Sequence, residues 1–267
     1  MLTSKEIIFR NNVRIIGNGN QVMMFGHGFG CDQNTWRAII PAFEDEFKII
    51  LYDYVGAGKS DLSSYDEDRY SSLDGYALDV VEICTALDLK KVIFVGHSVS
   101  SMIGLLAIKT APYRFEKIIF IGPSPCYINK PGYEGGIDND DLEALLDVMD
   151  SNYLGWSATM APLIMGTSNS KELSDSLEAS FCATDPSIAR RFARVTFLSD
   201  NRADLNSLEI PSLTIQCNDD FLTSVDIAKY INEHTSYNQM ALLESSGHCP
   251  HLSDPKGVID AIKNFIG

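Results

Sequence analysis

Three residue types that together can break an acyl bond occur in one order along the chain: Ser98, then Asp219 or Asp220, then His248. A serine hydroxyl is a poor nucleophile near neutral pH. An imidazole that takes its proton, and a carboxylate that orients the imidazole and stabilises its charged form, make it an effective one. Ser98 stands in Gly96-His97-Ser98-Val99-Ser100, directly after the apolar run Val92-Ile93-Phe94-Val95 and directly before a helical pattern. On a sharp strand-to-helix turn its hydroxyl would be held at the carboxyl end of a sheet, where open α/β sheets place their ligands. The usual spelling of such a turn is G-x-S-x-G, and here Ser100 replaces the second glycine. The negative charge that develops on an attacked carbonyl needs N–H donors. Phe29, in the glycine-rich Gly26-His27-Gly28-Phe29-Gly30, and Val99, beside the nucleophile, are the backbone candidates.

Other chemistry is poorly served. His251 follows His248 by three residues, but no further ligand cluster accompanies the pair, so it reads as structural and no metal is expected. His97 precedes the nucleophile and, by strand alternation, points away from it, which suits a supporting or pocket residue. Gly56-Ala57-Gly58-Lys59-Ser60 has the end of a phosphate loop, but Asp53 occupies the position of its first glycine and no helical pattern follows Ser60. It is expected to be a surface loop. The six cysteines, Cys31, Cys84, Cys126, Cys182, Cys217 and Cys249, include no C-x-x-C pair, which argues against zinc and thioredoxin-type chemistry and for reduced core residues.

Elements that could hold the serine, acid and base follow from the hydrophobic pattern. Short strands are expected at Glu6–Phe9 and Val13–Ile16 as an antiparallel edge, then at Val22–Phe25, Lys48–Tyr54, Lys91–Val95 and Lys117–Pro123. Helices are expected near Thr35, over Leu73–Leu87, and from the Ser98 turn to Ala111, where Pro112 ends the run. The alternation of strand and helix predicts a mostly parallel sheet covered on both faces, an α/β fold. It stops after Pro123. Residues 124–201 carry only helical patterns, over Asp138–Asn152, Leu154–Met165, Lys171–Cys182 and Pro186–Leu198, and read as an insertion between two core segments, 1–123 and 202–267. Its Tyr127, Trp156, Met160, Phe181, Phe192 and Phe197 either pack the inserted helices together or roof an apolar pocket. The first inserted helix is rich in acids from Asp138 to Asp150, a negative face that is solvated or a docking surface. The sheet resumes at Pro211–Cys217, and strand Gln239–Glu244 leads to the loop holding His248 before a last helix over Lys256–Ile266. The acid and the histidine thus each follow a strand end.

The 267 residues suffice for one large α/β core. A formal net charge of −15 disfavours nucleic acid and anionic membrane as partners, and no apolar stretch is long enough to cross a bilayer. Met1–Glu6 lacks the features of a secretory signal, so a cytoplasmic location is the default expectation.

The order nucleophile, acid, base is that of the α/β-hydrolases, and the resemblance extends further. The blocks Gly96–Gly104, Gly28–Gln33, Leu51–Gly56, Leu73–Ala77, Gly122–Tyr127 and Gly247–His251 make the chain similar, over nearly its whole length, to the RsbQ-like bacterial energy-stress regulators and their plant relatives, the karrikin and strigolactone receptors. Ser100 matches the plant receptors, while the blocks at Gly28 and Gly122 lean toward the bacterial type. The resemblance implies an α/β-hydrolase fold with a four-helix lid over an apolar pocket and no cofactor. It implies a triad of Ser98, Asp220 in preference to Asp219, and His248, with Phe29, Tyr127, Trp156, Phe181 and Phe197 on pocket positions. It also implies hydrolysis of a small, largely apolar ester or lactone, and in the bacterial case a role in stress signalling with a PAS-domain PP2C-type protein phosphatase as partner.

Overall fold

The structure is a computed structural model and describes residues 2–267. Strands β1 (Arg14–Ile16), β2 (Gln21–Gly26), β3 (Phe47–Leu51), β4 (Val92–His97), β5 (Phe115–Ile121), β6 (Ser212–Asp219) and β7 (Asn238–Ser246) form one sheet in the order β1-β3-β2-β4-β5-β6-β7. Only β1 runs antiparallel to its neighbour; the other pairs are parallel. β4 lies at the centre with all six residues buried. Its period of two sends Val92 and Phe94 into one core and Ile93 and Val95 into the other. Each such side chain contributes about 1.5–3 kcal/mol by leaving water.

One face of the sheet is covered by α1 (Ser4–Arg10), α2 (Leu73–Ala86), α3 (Val99–Thr110) and α8 (Val225–His234). The other is covered by a 3-10 turn at Gln33–Ala38 and by α10 (Pro255–Ile266), with Trp36, Phe43, Val258 and Ile262 in that core. A third apolar cluster belongs to the four helices between β5 and β6: α4 (Asn139–Ser151), α5 (Tyr153–Met165), α6 (Lys171–Cys182) and α7 (Pro186–Phe197). It takes in Cys31, Leu222 and Cys249 from the loops at the carboxyl end of the sheet, so these helices sit over that end. A one-turn helix, α9 (Pro250–Ser253), follows the His248 loop.

Three expectations need correction. Glu6–Phe9 is not a strand but the middle of α1. Thr3 and Glu6 form a reciprocal capping box there, and a short apolar run cannot outweigh a satisfied helix start. The helix is then pinned by buried Arg10, which pairs with Asp79 at 3.0 Å and Glu82 at 2.7 Å. The Gly56–Ser60 loop is only partly at the surface: Gly58 and Lys59 are exposed, but Gly56, Ala57 and Ser60 are buried. Asp53 organises it by accepting from the amides of Lys59 and Gln33. The acidic face of α4 is not simply solvated, because Arg194 of α7 reaches Glu143, Asp147 and Asp150 at 3.4, 3.6 and 2.8 Å.

Candidate active site

Ser98 is one of four non-glycine residues with positive φ among the described residues, at φ 56° and ψ −123°. Such a conformation is costly for an L side chain and persists only where the surroundings hold it. They do so here: the Ser98 amide donates to Ile121 of β5 at 2.8 Å, and the Ser98 carbonyl accepts from Ser101 at 2.9 Å. A serine before a helix ordinarily turns its hydroxyl onto the first-turn amides. Ser98 heads α3 but makes no such bond. Its hydroxyl goes instead to His248 Nε2, 2.8 Å away.

On the far side of the ring, His248 Nδ1 lies 2.8 Å from Asp220 Oδ2. A carboxylate accepts, so Nδ1 carries the proton, and Nε2 is left to accept from Ser98. Asp220 is displaced from the straight run of β6 by a register shift between Cys217 and Asp219. Its carboxylate also accepts from the Leu222 amide, the Thr223 hydroxyl and the Gln216 amide group. Burial acts to raise this carboxyl, but the facing His248 and these hydrogen bonds outweigh it and hold the group below its ordinary value. Asp219 is exposed and takes no part in this contact; its carbonyl accepts from Gly247 at 2.7 Å. The His248 backbone is itself fixed. Its amide donates to Ile164 of α5 at 2.7 Å, and Asn169 bridges the carbonyls of Met165 and Ser246.

Phe29 and Val99 border the serine. Val99 opens α3, so its N–H is one of the helix's unpaired donors at the positive end of the dipole. The loop holding Phe29 passes close by: a Cβ placed on Gly28 would stand 3.5 Å from Ser98 Cβ. Among the described residues neither the Phe29 nor the Val99 amide has an acceptor.

Above Ser98 and His248 lies a small cavity, about 20 Å³ in volume, whose wall is mostly apolar. Of the residues expected in a pocket, Phe29, His97, Phe181 and Phe197 line it. Tyr127 and Trp156 are not on its lining: Tyr127 packs against Phe197 at 5.0 Å and Trp156 against Phe29 at 6.2 Å and Phe181 at 5.5 Å between ring centres. Burial pushes the Tyr127 phenol up to about 12, the nearby Ser98 hydroxyl easing the shift. Ile164, Leu177, Thr196 and Leu222 also line the cavity. The sequence carries no signal for these four, since each sits in an ordinary helical or loop context. Thr196 brings a buried hydroxyl with no partner among the described residues into that apolar wall.

His97 is fully buried, lines the cavity and seats His248, its Nε2–H donating to the His248 carbonyl at 2.8 Å. Its ring centre is 4.4 Å from that of His251, which reaches Thr35 at 2.8 Å and packs on Trp36. Burial, with His248 close by, pushes His97 down to about 3, and burial pushes His251 well down too. Among the described residues no cluster of His, Cys, Asp or Glu has the arrangement of a metal site. Cys249, next to the base, is buried and its thiol is pushed well up by burial. Among the described residues no helix is long and apolar enough to cross a membrane.

The family model described as "Alpha/beta hydrolase family" matches residues 23–261. Karrikin insensitive 2 receptor CA of Petunia hybrida is 34% identical over 257 residues, covering 96% of this chain and 95% of its own. Strigolactone esterase D14 of Arabidopsis thaliana is 33% identical over 266 residues and 99% of both chains. The solved structure of a hydrolase from Oleispira antarctica superposes with a TM-score of 0.97 at 45% identity, over 99% of this chain and 97% of that one.

Proposed function

The chain belongs to the alpha/beta hydrolase family, and from that premise we propose that it is a serine hydrolase of small, largely apolar esters or lactones. The observation that carries this reading is the relay from Ser98 through His248 to Asp220, with both links 2.8 Å long, at the floor of an apolar cavity. Ser98 Oγ attacks the carbonyl carbon while His248 Nε2 takes its proton, and Asp220 stabilises the imidazolium. The oxyanion of the tetrahedral intermediate is met by the Phe29 and Val99 amides. Collapse expels the alkoxide, which His248 protonates, and leaves an acyl group on Ser98. With a lactone the alcohol stays tethered to that acyl group. Water, deprotonated by His248, then releases the acid and restores the serine. Phe29, Phe181 and Phe197 take up the apolar body of the substrate, His97 seats the His248 backbone, and Tyr127 and Trp156 back the wall.

The reading is tested with Ser98→Ala on a p-nitrophenyl butyrate assay. Turnover is expected to fall by roughly 10⁴–10⁶. Activity within tenfold of the parent enzyme would overturn it.

A second reading is favoured by relatives of nearly equal identity that carry the names receptor and esterase. In it the biological output is engagement of a partner by the inserted helices, with hydrolysis slow or ancillary. The partner expected from the bacterial-type resemblance is a PAS-domain PP2C-type phosphatase of a stress pathway. Binding of the purified phosphatase that changes on addition of the ester would favour this reading, and the same ester turned over at metabolic rates with no phosphatase bound would count against it.

A further inference from the structure

Ser100, the residue that departs from the usual turn sequence, is fully buried and fully bonded. Its Oγ lies 2.5 Å from the carbonyl of His27 and 2.7 Å from the hydroxyl of Tyr54, and Tyr54 in turn accepts from Tyr52 at 2.9 Å. The direction of this chain of hydrogen bonds is fixed by its end. A carbonyl can only accept, so Ser100 donates to His27, Tyr54 donates to Ser100, and Tyr52 donates to Tyr54. Hydroxyls aligned in one sense polarise one another, which strengthens the last bond of the series. The same loop is held at a second point. His27 Nδ1–H donates to the Gly28 carbonyl at 2.9 Å, leaving Nε2 to accept from the Tyr54 amide at 3.2 Å. The space for this arrangement exists because position 26 has no side chain: a Cβ there would stand 2.9 Å from both the Ser100 and the Tyr52 hydroxyl oxygens.

His27 is two residues before Phe29, and Ser100 is two residues after Ser98. We infer that Ser100, driven by Tyr54 and Tyr52, is a positioning residue that clamps the Gly26–Gly30 loop to the start of α3 and so sets where the Phe29 amide stands relative to the Ser98 oxygen. This rests on the hydrolase reading above and extends it to the residue that makes this turn unusual. A glycine at position 100 can permit close packing but cannot hold the loop; the serine does both.

The experiment compares Ser100→Ala, Ser100→Gly and Tyr54→Phe with the parent enzyme and with Ser98→Ala, using p-nitrophenyl butyrate and an alkyl trifluoromethyl ketone. The ketone forms a hemiketal on Ser98 whose oxyanion needs the same amides. Both Ser100 variants are expected to lower kcat roughly ten- to a hundredfold, less than the 10²–10³ lost on deleting a donor outright. KM should change by less than about twofold, and ketone affinity should fall by the same factor as kcat, because the loop acts on the charged intermediate and not on the bound ester. Ser100→Gly is the sharper of the two, since it restores the usual turn spelling: a residue there only for packing would tolerate it. Tyr54→Phe leaves the Ser100 hydroxyl in place and is expected to give a smaller, several-fold loss of the same kind; it carries the test alone where the Ser100 variants do not fold. Ser100 variants, or Tyr54→Phe alone in that case, with parental kcat and ketone affinity while Ser98→Ala is inactive would overturn the inference. An active Ser98→Ala would instead overturn the hydrolase reading on which it stands.

Discussion

Acidification from pH 7.5 to 5.5 should destabilise this protein well before its carboxylates begin to protonate. His27, His97 and His251 are fully buried on or behind the proposed site, and burial lowers all three. His97 faces His248, Asp220 and His27, and His251 faces His97, His248 and Arg37, so a proton on either ring meets another imidazole. A histidine whose folded pKa is depressed is protonated in the unfolded chain near pH 6.5 while the folded chain still excludes the proton, so stability falls as pH drops through that value. With a folded value of about 3 for His97, the loss between pH 7.5 and 5.5 is on the order of 1 kcal/mol. His251 and His27, both lowered chiefly by burial, add in the same direction. The Asp79 carboxyl, raised by burial against its arginine partners, works weakly the other way. Urea unfolding followed by tryptophan fluorescence at the two pH values measures the difference, and His251→Gln should make it smaller. Ring resonances of His97 and His251 in the folded protein should stay in their neutral positions down to pH 5.5. A native-state midpoint above 6 for either ring, or a stability independent of pH across this window, would refute the reasoning.

Two further outcomes follow from the site. Asp220→Asn would present an amide N–H to His248 Nδ1, moving the ring proton to Nε2 where it blocks transfer from Ser98; kcat on p-nitrophenyl butyrate should fall by roughly 10⁴ with the fold intact by circular dichroism. Of the six cysteines only Cys182 is exposed, and burial drives Cys31 up to about 12 and Cys249 well up. A disulfide-exchange reagent should therefore modify one thiol quickly in the native protein and six in denaturant, without loss of activity at the first.

Much of the frame is written in local patterns. The buried run of β4, the Ser98 turn and the end of α3 at Pro112 are each specified by a few adjacent residues, and the structure has them within a residue or two of their expected places. The bounds of α6 coincide with the helical pattern over Lys171–Cys182 for the same reason. Where the reading failed, the deciding partner lay elsewhere. Glu6–Phe9 looked like a strand because the capping box that begins at Thr3 precedes the apolar residues it governs. The acids of α4 looked unpaired because Arg194 is more than forty residues away in sequence. Ile164, Thr196 and Leu222 reach the cavity only through the packing of α5 and α7 and the loop after β6, which no periodicity encodes. Ser100 stands out in the sequence as a departure from the usual turn spelling, but its link to Tyr54 and His27 exists only once β2, β3 and α3 are brought together.

The amide bond from His248 to Ile164, with Asn169 spanning Met165 and Ser246, stitches the end of α5 to the loop that presents the imidazole. The helices over the cavity and the histidine beneath them are therefore one mechanical part. For anyone building chimaeras within this family, the natural unit of exchange is not the inserted helices alone. A roof transplanted without its Ser246–His248 loop would arrive with a mismatched seam, and the defect would surface as a misplaced base and not as a changed choice of substrate.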